Sequence, residues 1–292
     1  MTSVFSTTSS NLRRRQMRSN LVTGLMGVAL IVALVPLVAV IGYVINRGGQ
    51  VVDLKFLTKN IPITDRTIGP GMKPAIIGTL VITLAATLIS VPLGVLGALY
   101  LNEYGNNRRL SRVVRFFSEV MTGVPSIVMG LFVYTFVVLR TKELNGLAGA
   151  LALACLMLPV IIRSSEEMLK LVPLDQREAS LALGARKTTT IFRVVLPAAA
   201  PGMLSGVLLA IARAAGETAP LLFTIGVVSK ANPNIFSGTN TTLSAQIFRN
   251  AASPFVGAQN RAWGAAFTLI CIVFIFTVLA RVVSAVLSRR SS

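Results

Sequence analysis

Apolar runs long enough to cross a membrane alternate with short polar segments along the chain. A helix needs about 20 predominantly apolar residues to cross the hydrocarbon core of a bilayer. Four runs hold no charged residue, a fifth holds only Arg213 and Glu217, and a sixth continues past Arg281. The spans are predicted at about residues 21–45, 76–101, 120–139, 144–162, 197–226 and 262–287. We therefore expect an all-α polytopic membrane protein with six transmembrane helices.

The polar segments predict the organisation and the orientation of the chain. We expect an arm at residues 1–20, a six-span domain at 21–287 with a long inner loop at 163–196, and a tail at 288–292. With the N-terminus inside, the inner segments hold 17 lysines and arginines and the outer segments hold 10. Because basic residues favour the cytoplasmic side, we expect a cell-membrane protein with both termini in the cytoplasm. The Ser/Thr-rich residues 1–11 are expected to be disordered.

The first apolar run has a second interpretation, as a cleaved signal peptide. It follows Arg13, Arg14, Arg15 and Arg18, as the core of a signal would. However, it continues for about 25 residues, which is longer than a signal core, and it shows no small-residue cleavage site. We interpret it as an anchored membrane helix.

Composition changes the interpretation of the charge. The chain holds 28 Lys+Arg against 10 Asp+Glu, a net charge of +18 that alone would suggest nucleic-acid binding. Because 53% of the residues are hydrophobic and only 13% are charged, against about 25% in soluble domains, the excess is better explained as a topology signal. We expect a lipid bilayer and no nucleic acid as the surroundings of this chain.

The absence of histidine removes several kinds of chemistry. Without histidine, the chain can form neither a Ser-His-Asp triad nor a histidine zinc site nor a histidine proton relay. The predicted spans also contain no cluster of carboxylates. The sequence therefore disfavours a membrane enzyme and predicts a non-catalytic membrane protein that holds no cofactor itself.

The inner loop between the fourth and fifth spans has the pattern of a helix, a turn and a second helix. Pro173 should end the preceding helix, and Asp175 is predicted to be an N-cap with Glu178 at the capping-box spacing. Gly184 suits a left-handed C-cap. Residues 188–190 are threonines that can cap the next turn, and Pro197 is compatible with the first turn of the fifth span.

The same loop resembles the EAA loop of ABC importer permeases. The resemblance rests on Glu178-Ala179-Ser180, then Gly184 after three residues, and Val194-Val195-Leu196-Pro197 after nine more. Ser180 and Val194 depart mildly from the family pattern. The resemblance implies a coupling helix that docks on a cytoplasmic ATPase subunit, with contacts carried by Glu178, Ala179, Gly184, Leu196 and Pro197. Capping alone is the simpler explanation of Glu178 and Gly184.

Nucleotide binding by this chain itself is not expected. Residues 184–188 read Gly-Ala-Arg-Lys-Thr, but a phosphate-binding loop requires G-x-x-x-x-G-K-[ST], and no glycine precedes Lys187 directly. We therefore expect ATP and Mg²⁺ in a partner ATPase rather than in this chain.

Arg213 and Glu217 are the charged residues of the predicted fifth span. A charge at a helix centre costs about 2.5–3.5 kcal/mol on insertion scales. At i and i+4 on a continuous helix, the two side chains would lie on one face and could pair. One hypothesis is a pair that only fixes helix packing. The other is that Arg213 attracts a small oxyanion while Glu217 holds its orientation, because a guanidinium binds phosphate through two hydrogen bonds.

Further motifs resemble the PstA-type permease subunits of phosphate ABC importers. They are residues 212–222, which contain Arg213-Ala214-Ala215-Gly216-Glu217-Thr218-Ala219-Pro220, residues 123–131, and Ile77-Gly78-Thr79-Leu80. The resemblance covers about residues 20–287 and implies the type I ABC importer permease fold. It also implies roles in the substrate pathway for Arg213, Glu217 and Thr218.

The resemblance implies a substrate and partners as well. These are inorganic phosphate, a second homologous permease that completes a heterodimer, two cytoplasmic ATPase subunits and an extracytoplasmic phosphate-binding protein. A permease for sulfate or molybdate, or a stand-alone secondary transporter, is the alternative. Ser126, after Pro125, is either part of a helix kink or a hydroxyl that lines the pathway.

Overall fold

Helices make up all the regular structure in the described part of the chain. The computed structural model describes residues 8–67, 69, 71–105 and 109–290. Five helices there are long and apolar enough to cross a membrane, and a bent helix pair adds a sixth. The expected all-α polytopic fold with six spans is confirmed.

The helices follow one another in a simple order. They are α1 Thr8–Gly49, α2 Leu54–Thr58, α3 Lys73–Leu99, α4 Arg109–Gly123, α5 Ser126–Val133, α6 Leu139–Thr141, α7 Gly146–Lys170, α8 Leu174–Ala182, α9 Lys187–Thr190, α10 Leu196–Ala215, α11 Leu221–Thr224, α12 Leu243–Ala251 and α13 Val256–Arg290. Three π-helical turns, Tyr100–Tyr104, Tyr134–Val138 and Ile191–Val195, extend α3, join α5 to α6 and join α9 to α10.

The first helix starts earlier than predicted. Residues 8–11 of the arm, expected to be disordered, form the first turn of α1, while residues 1–7, like 291–292 of the tail, lie outside the described residues. The described side chains of α1 are exposed over most of its length, and its last turns pack on α13. Tyr43 meets Trp263 edge to face there, with ring centroids 5.0 Å apart.

The centre of the molecule is the contact between α3, α7 and α10. The buried side chains there are small or aliphatic: Ile82, Ala86, Leu153, Met157, Ile161, Val207, Ala210 and Ala214. Glycines bring α10 close to α7, since a Cβ at Gly202 would overlap the Met168 sulfur and one at Gly206 would overlap the Ser164 side chain. Helices in lipid associate through such close packing of small residues, so α3, α7 and α10 form a tightly packed unit.

The third span is not the single helix expected over residues 120–139. Helix α4 ends at Gly123, and a second helical segment runs from Ser126 to Thr141 at 109° to it. Pro125 adopts an extended conformation (ψ 135°) at the break and has no N–H to continue the helical hydrogen bonds. The run is apolar on both sides of the break, and apolarity does not record a change of helix direction.

The fifth span also ends earlier than expected. A helical stretch continues from Lys187 to Ala215 and stops there, rather than near residue 226. Gly216 is the C-cap, and Pro220 precedes the short α11. The chain from Gly216 to Pro220 is therefore an unwound segment within the predicted span.

The Gly78-Thr79 motif holds the segment before α12 against the second span. The backbone of Thr241 lies so close to Gly78 that a Cβ at that glycine would overlap the Thr241 carbonyl oxygen. The buried Thr79 hydroxyl accepts a hydrogen bond of 2.9 Å from the Leu243 N–H at the start of α12. These two contacts explain why a glycine and then a threonine stand at the beginning of the second span.

Candidate functional site

A cavity of about 280 Å³ lies where the two broken spans meet. Its wall is formed by the end of α4, the start of α5, one face of α7 and the end of α10. The polar side chains that line it belong to Thr122, Ser126, Arg213 and Glu217. The other lining residues are apolar, so the cavity combines a few polar groups with apolar walls.

The two helix breaks are packed directly against each other. A Cβ at Gly130 in α5 would lie 2.5 Å from the Pro220 Cα and 2.7 Å from its carbonyl oxygen, so the backbones are in contact at this point. This contact places the unwound segment after α10 beside the start of α5. The sequence motifs at 123–131 and 212–222, separated by more than 80 residues, thus build one site.

Arg213 and Glu217 do not form the predicted ion pair. No ion pair or side-chain hydrogen bond joins Arg213 or the Glu217 carboxylate to any residue in the described ranges. The physical reason is the end of α10: the Gly216 N–H bonds to the Arg213 carbonyl at 3.2 Å, and the Glu217 N–H bonds to the Ala214 carbonyl at 3.1 Å. Since Glu217 lies beyond the helix, the i, i+4 geometry does not apply. Both residues nevertheless line the same cavity.

The backbone at Glu217 is held by the start of α12. The Ser244 hydroxyl donates to the Glu217 carbonyl at 3.0 Å, and it is itself 3.1 Å from the hydroxyl of Thr242. Thr242 is the N-cap of α12, where its hydroxyl accepts from the Ala245 N–H at 3.3 Å. The unwound segment is therefore fixed by a buried hydroxyl chain, which the sequence did not predict.

The other two predicted pathway residues, Ser126 and Thr218, differ in whether they line the cavity. Ser126 lines the cavity as the first residue of α5, so it is both part of the helix break and part of the lining. Thr218 is not among the lining residues, and its carbonyl accepts from the Leu221 N–H at 3.1 Å. The wall contributed by α7, with Leu156, Met157, Pro159 and Val160, was missed because a uniformly apolar helix gives no signal of which face lines a cavity.

The predicted coupling loop contains an exposed helix, α8, which follows the C-terminal end of α7. Gly184 has φ +81°, its N–H bonds to the Leu181 carbonyl at 2.9 Å, and the Ala185 N–H bonds to the Ser180 carbonyl at 3.2 Å. This is a Schellman motif, so the predicted left-handed C-cap is confirmed. Large apolar side chains stay exposed on this segment: Leu174 by 70%, Leu181 by 49% and Leu183 by 90%.

The predicted N-caps in this loop are wrong. Pro173 is the N-cap of α8, and Asp175 lies inside the first turn without a capping hydrogen bond, so no capping box forms with Glu178. Likewise Arg186 is the N-cap of α9, and Thr188 to Thr190 lie inside that helix. Proline already presets the extended backbone of an N-cap, and an acidic first turn is stabilised by the helix dipole without a capping bond.

The residues predicted to contact an ATPase fall into two groups. Glu178, Ala179 and Gly184 are exposed together on α8 and its C-cap. Leu196 instead packs against the buried cluster around Val195, and Pro197 occupies the first turn of α10, as expected. Ser180, which departs from the EAA pattern, has its hydroxyl 2.9 Å from that of Thr190, so the departure adds a polar contact between α8 and α9.

Comparison with known proteins gives close relatives over most of the chain. Residues 90–292 match the family described as Binding-protein-dependent transport system inner membrane component. The chain is 41% identical over 280 residues to Phosphate transport system permease protein PstA 1 of Mycobacterium tuberculosis (strain CDC 1551 / Oshkosh), covering 95% of this chain and 92% of that protein. It is 43% identical over 246 residues to PstA of Yersinia pestis, covering 82% and 81%. PstA of Haemophilus influenzae is 37% identical over 281 residues, covering 94% and 97%.

Solved structures share the fold at low sequence identity. An inward-facing structure of the MetNI methionine ABC transporter aligns with a TM-score of 0.56 and 20% identity, covering 72% of this chain and 91% of that one. A structure of an amino acid ABC transporter with histidines aligns with a TM-score of 0.52 and 20% identity, covering 74% and 92%. The expected type I ABC importer permease fold is confirmed, and the protein is a multi-pass membrane subunit of an ABC transporter. The chain belongs to the family of binding-protein-dependent transport system inner membrane components and, within it, to the PstA-type permeases.

Proposed function

We propose that this chain is the permease subunit of an ATP-driven importer that moves inorganic phosphate across the cell membrane. The observation that carries the proposal is the cavity lined by Arg213, Glu217, Ser126 and Thr122. The Arg213 guanidinium, which has no partner among the described residues, can offer two parallel N–H donors to a phosphate. The two hydroxyls can add hydrogen bonds, and the start of α5 adds the partial positive charge of a helix N-terminus.

The unpaired carboxylate favours phosphate over other oxyanions. A carboxylate repels a fully ionised oxyanion, but it accepts a hydrogen bond from one that still carries a proton. Near neutral pH, inorganic phosphate keeps one or two protons, whereas sulfate and molybdate keep none. Glu217 beside Arg213 therefore supports phosphate as the substrate rather than sulfate or molybdate. Measuring the uptake of the three anions side by side tests this choice.

Coupling to ATP hydrolysis is assigned to the exposed helix α8. Its apolar side chains Leu174, Leu181 and Leu183 would be buried on docking, while Glu178, Ala179 and Gly184 shape the contact. We assign the docking surface to two cytoplasmic ATPase subunits, one on this chain and one on a second homologous permease. ATP and Mg²⁺ would bind in those subunits. Pro197 and Leu196 act by fixing where α10 begins rather than by contact.

The remaining partners follow from the orientation. We place both termini in the cytoplasm, which puts α8 on the side where ATP is available and puts α12 and residues 225–242 outside. An extracytoplasmic phosphate-binding protein would deliver its ligand on that outer side. The exposed apolar length of α1 would be covered by lipid and by the second permease.

The test is phosphate uptake by the importer reconstituted in liposomes with Arg213→Gln. We expect assembly with the other subunits to be retained and ATP-dependent uptake to fall at least about tenfold, because a hydrogen bond to a charged group contributes about 1.5–3 kcal/mol. Arg281→Gln, which changes an arginine of α13 outside the cavity, is the matched control and should transport normally. Normal uptake by Arg213→Gln would contradict the pathway role, and sulfate uptake equal to phosphate uptake would contradict the substrate.

A further inference from the structure

The cytoplasmic end of the second span is a meeting point of four elements. In the π-helical turn Tyr100–Tyr104, the Glu103 carboxylate forms an ion pair with Arg177 of α8. Only 7% of the Glu103 side chain and 17% of the Arg177 side chain are exposed. The Asn102 side chain also donates to the same Glu103 oxygen at 2.8 Å. We call Glu103, Arg177, Lys187 and the Leu169 carbonyl the Glu103 junction.

The other contacts of the junction reach α7 and α9. Arg177 donates a second hydrogen bond, of 2.8 Å, to the carbonyl of Leu169 near the end of α7. Lys187, the first residue of α9, donates to the Glu103 carbonyl, and its ammonium lies 4.7 Å from the centre of the Tyr104 ring. The end of the second span and the end of the fourth span are thus both tied to α8.

The burial of the ion pair makes this connection stiff. Removing one partner of a buried ion pair leaves an uncompensated charge, which is strongly unfavourable. The structure contains a matched contrast on the same side, since Arg163 lies 3.5 Å from Glu119 with 54% and 62% of the two side chains exposed. An exposed pair of this kind contributes little. The Glu103 junction therefore resists separation in a way that the exposed pair does not.

The junction connects α8 to the cavity through packed helices. Helices α3 and α7 share the buried core around Ile82, Leu153 and Ile161. The same α7 supplies the apolar wall of the cavity through Leu156 to Val160. A displacement of α8 can thus reach the cavity wall through α3 and α7, and not only along the covalent path into α10.

We propose that Glu103 and Arg177 are positioning residues for coupling: they transmit the ATP-driven displacement of α8 to the α3–α7 pair and so to the cavity wall. The proposal rests on the docking of an ATPase subunit on α8 described under the proposed function. It predicts that a complex lacking the pair still assembles and hydrolyses ATP but moves less phosphate for each ATP consumed.

The experiment measures phosphate transported per ATP hydrolysed by the complete importer in liposomes. Glu103→Gln should lower this ratio at least about fivefold, the low end of typical coupling effects. The reversed pair, Glu103→Arg with Arg177→Glu, should recover a ratio nearer to that of the unmodified complex than Glu103→Arg alone. Glu119→Gln, which breaks the exposed pair with Arg163, is the control and should leave the ratio unchanged.

Each outcome decides between the proposals. A lowered ratio in assembled Glu103→Gln, with recovery in the reversed pair, supports the inference. An unchanged ratio overturns it, and so does a lowered ratio that the reversed pair does not recover. If Glu103→Gln does not assemble, Arg177→Lys keeps the charge beside Glu103 but loses the hydrogen bond to the Leu169 carbonyl. A lowered ratio in that variant supports the inference, and an unchanged ratio overturns it. If the unmodified complex itself takes up no phosphate, the proposed function fails, and that result is separate from any change in the ratio.

Discussion

At the residue scale, Arg213 and Glu217 owe their arrangement to the end of a helix. The i, i+4 spacing predicts a pair only if the helix is continuous from one residue to the other. Gly216 stands between them, and glycine is a poor helix residue that commonly ends a helix. Pro220 is a residue type that ends helices, but the helix stops five residues before it, at Ala215. The two charges are left free to face the cavity instead of neutralising each other.

Independent roles for the two charges predict the behaviour of Glu217→Gln. The amide keeps the side-chain volume but loses the charged acceptor, so we expect phosphate uptake to fall about tenfold with assembly unchanged. The double variant Arg213→Gln with Glu217→Gln should transport no better than either single variant. Recovery of uptake in the double variant would mean that the two residues act as a neutralising pair, contrary to the structure.

Gly130 is predicted to be required where the two broken spans touch. Gly130→Ala would bring a Cβ to 2.5 Å from the Pro220 Cα, so the backbones of α5 and of the unwound segment would have to move apart. Overpacking of this kind costs about 1–3 kcal/mol, so the melting temperature in detergent should fall and uptake should decrease. Gly123→Ala is the matched control, since nothing lies within 4 Å of a Cβ there. Equal melting temperatures for the two variants would contradict the close contact.

At the element scale, α8 is defined by its C-terminus more than by its N-terminus. The Schellman motif needs the left-handed conformation of Gly184, and this requirement was visible in the sequence because glycine is the residue that adopts it without strain. The predicted N-caps failed because Asp and Thr are also common inside the first turn, where they need no capping bond. Gly184 was thus a more reliable signal for the end of α8 than Asp and Thr were for the starts of α8 and α9.

Gly184→Val tests the conformation of this cap without crowding its surroundings. No atom lies within 4 Å of a Cβ at Gly184, so the effect of valine comes from its φ of +81° alone. A left-handed conformation costs a non-glycine residue about 1–2 kcal/mol, and we expect α8 to lose its end geometry and less ATPase to co-purify. Gly184→Asn is the control, because asparagine tolerates this conformation. Equal loss in both variants would point to the side chain rather than to the backbone.

At the scale of the whole molecule, apolar runs predicted the number of spans but not their shape. Length and hydrophobicity report whether a segment can enter the bilayer, and that part of the fold was predicted correctly. The 109° break at Pro125 depends on what α4 and α5 pack against, which a uniform apolar run does not record. Similarly, Glu103 and Arg177 are 74 residues apart, so no local pattern could have paired them.

The orientation is a prediction for the whole chain and can be measured by cysteine labelling. In a background with Cys155 and Cys271 replaced by serine, we expect Ile63→Cys, which is 92% exposed in the wild-type chain, to react with an impermeant maleimide in right-side-out vesicles. Arg112→Cys on α4 should react only after the vesicles are opened. The reverse pattern would place both termini outside and would put α8 on the wrong side for ATP.

The bent third span has a consequence for the energy barrier to ion movement. The segment from Ser126 to Thr141 has 16 residues and rises about 24 Å, while the hydrocarbon core is about 30 Å thick. A segment shorter than the hydrocarbon core is accommodated by local thinning of the bilayer beside it, and the low-dielectric layer thins there as well. The free energy of moving a charge rises with the thickness of such a layer. Where the bilayer thins beside this segment, an anion on its way to the Arg213 guanidinium crosses a smaller barrier than it would beside a full-length helix.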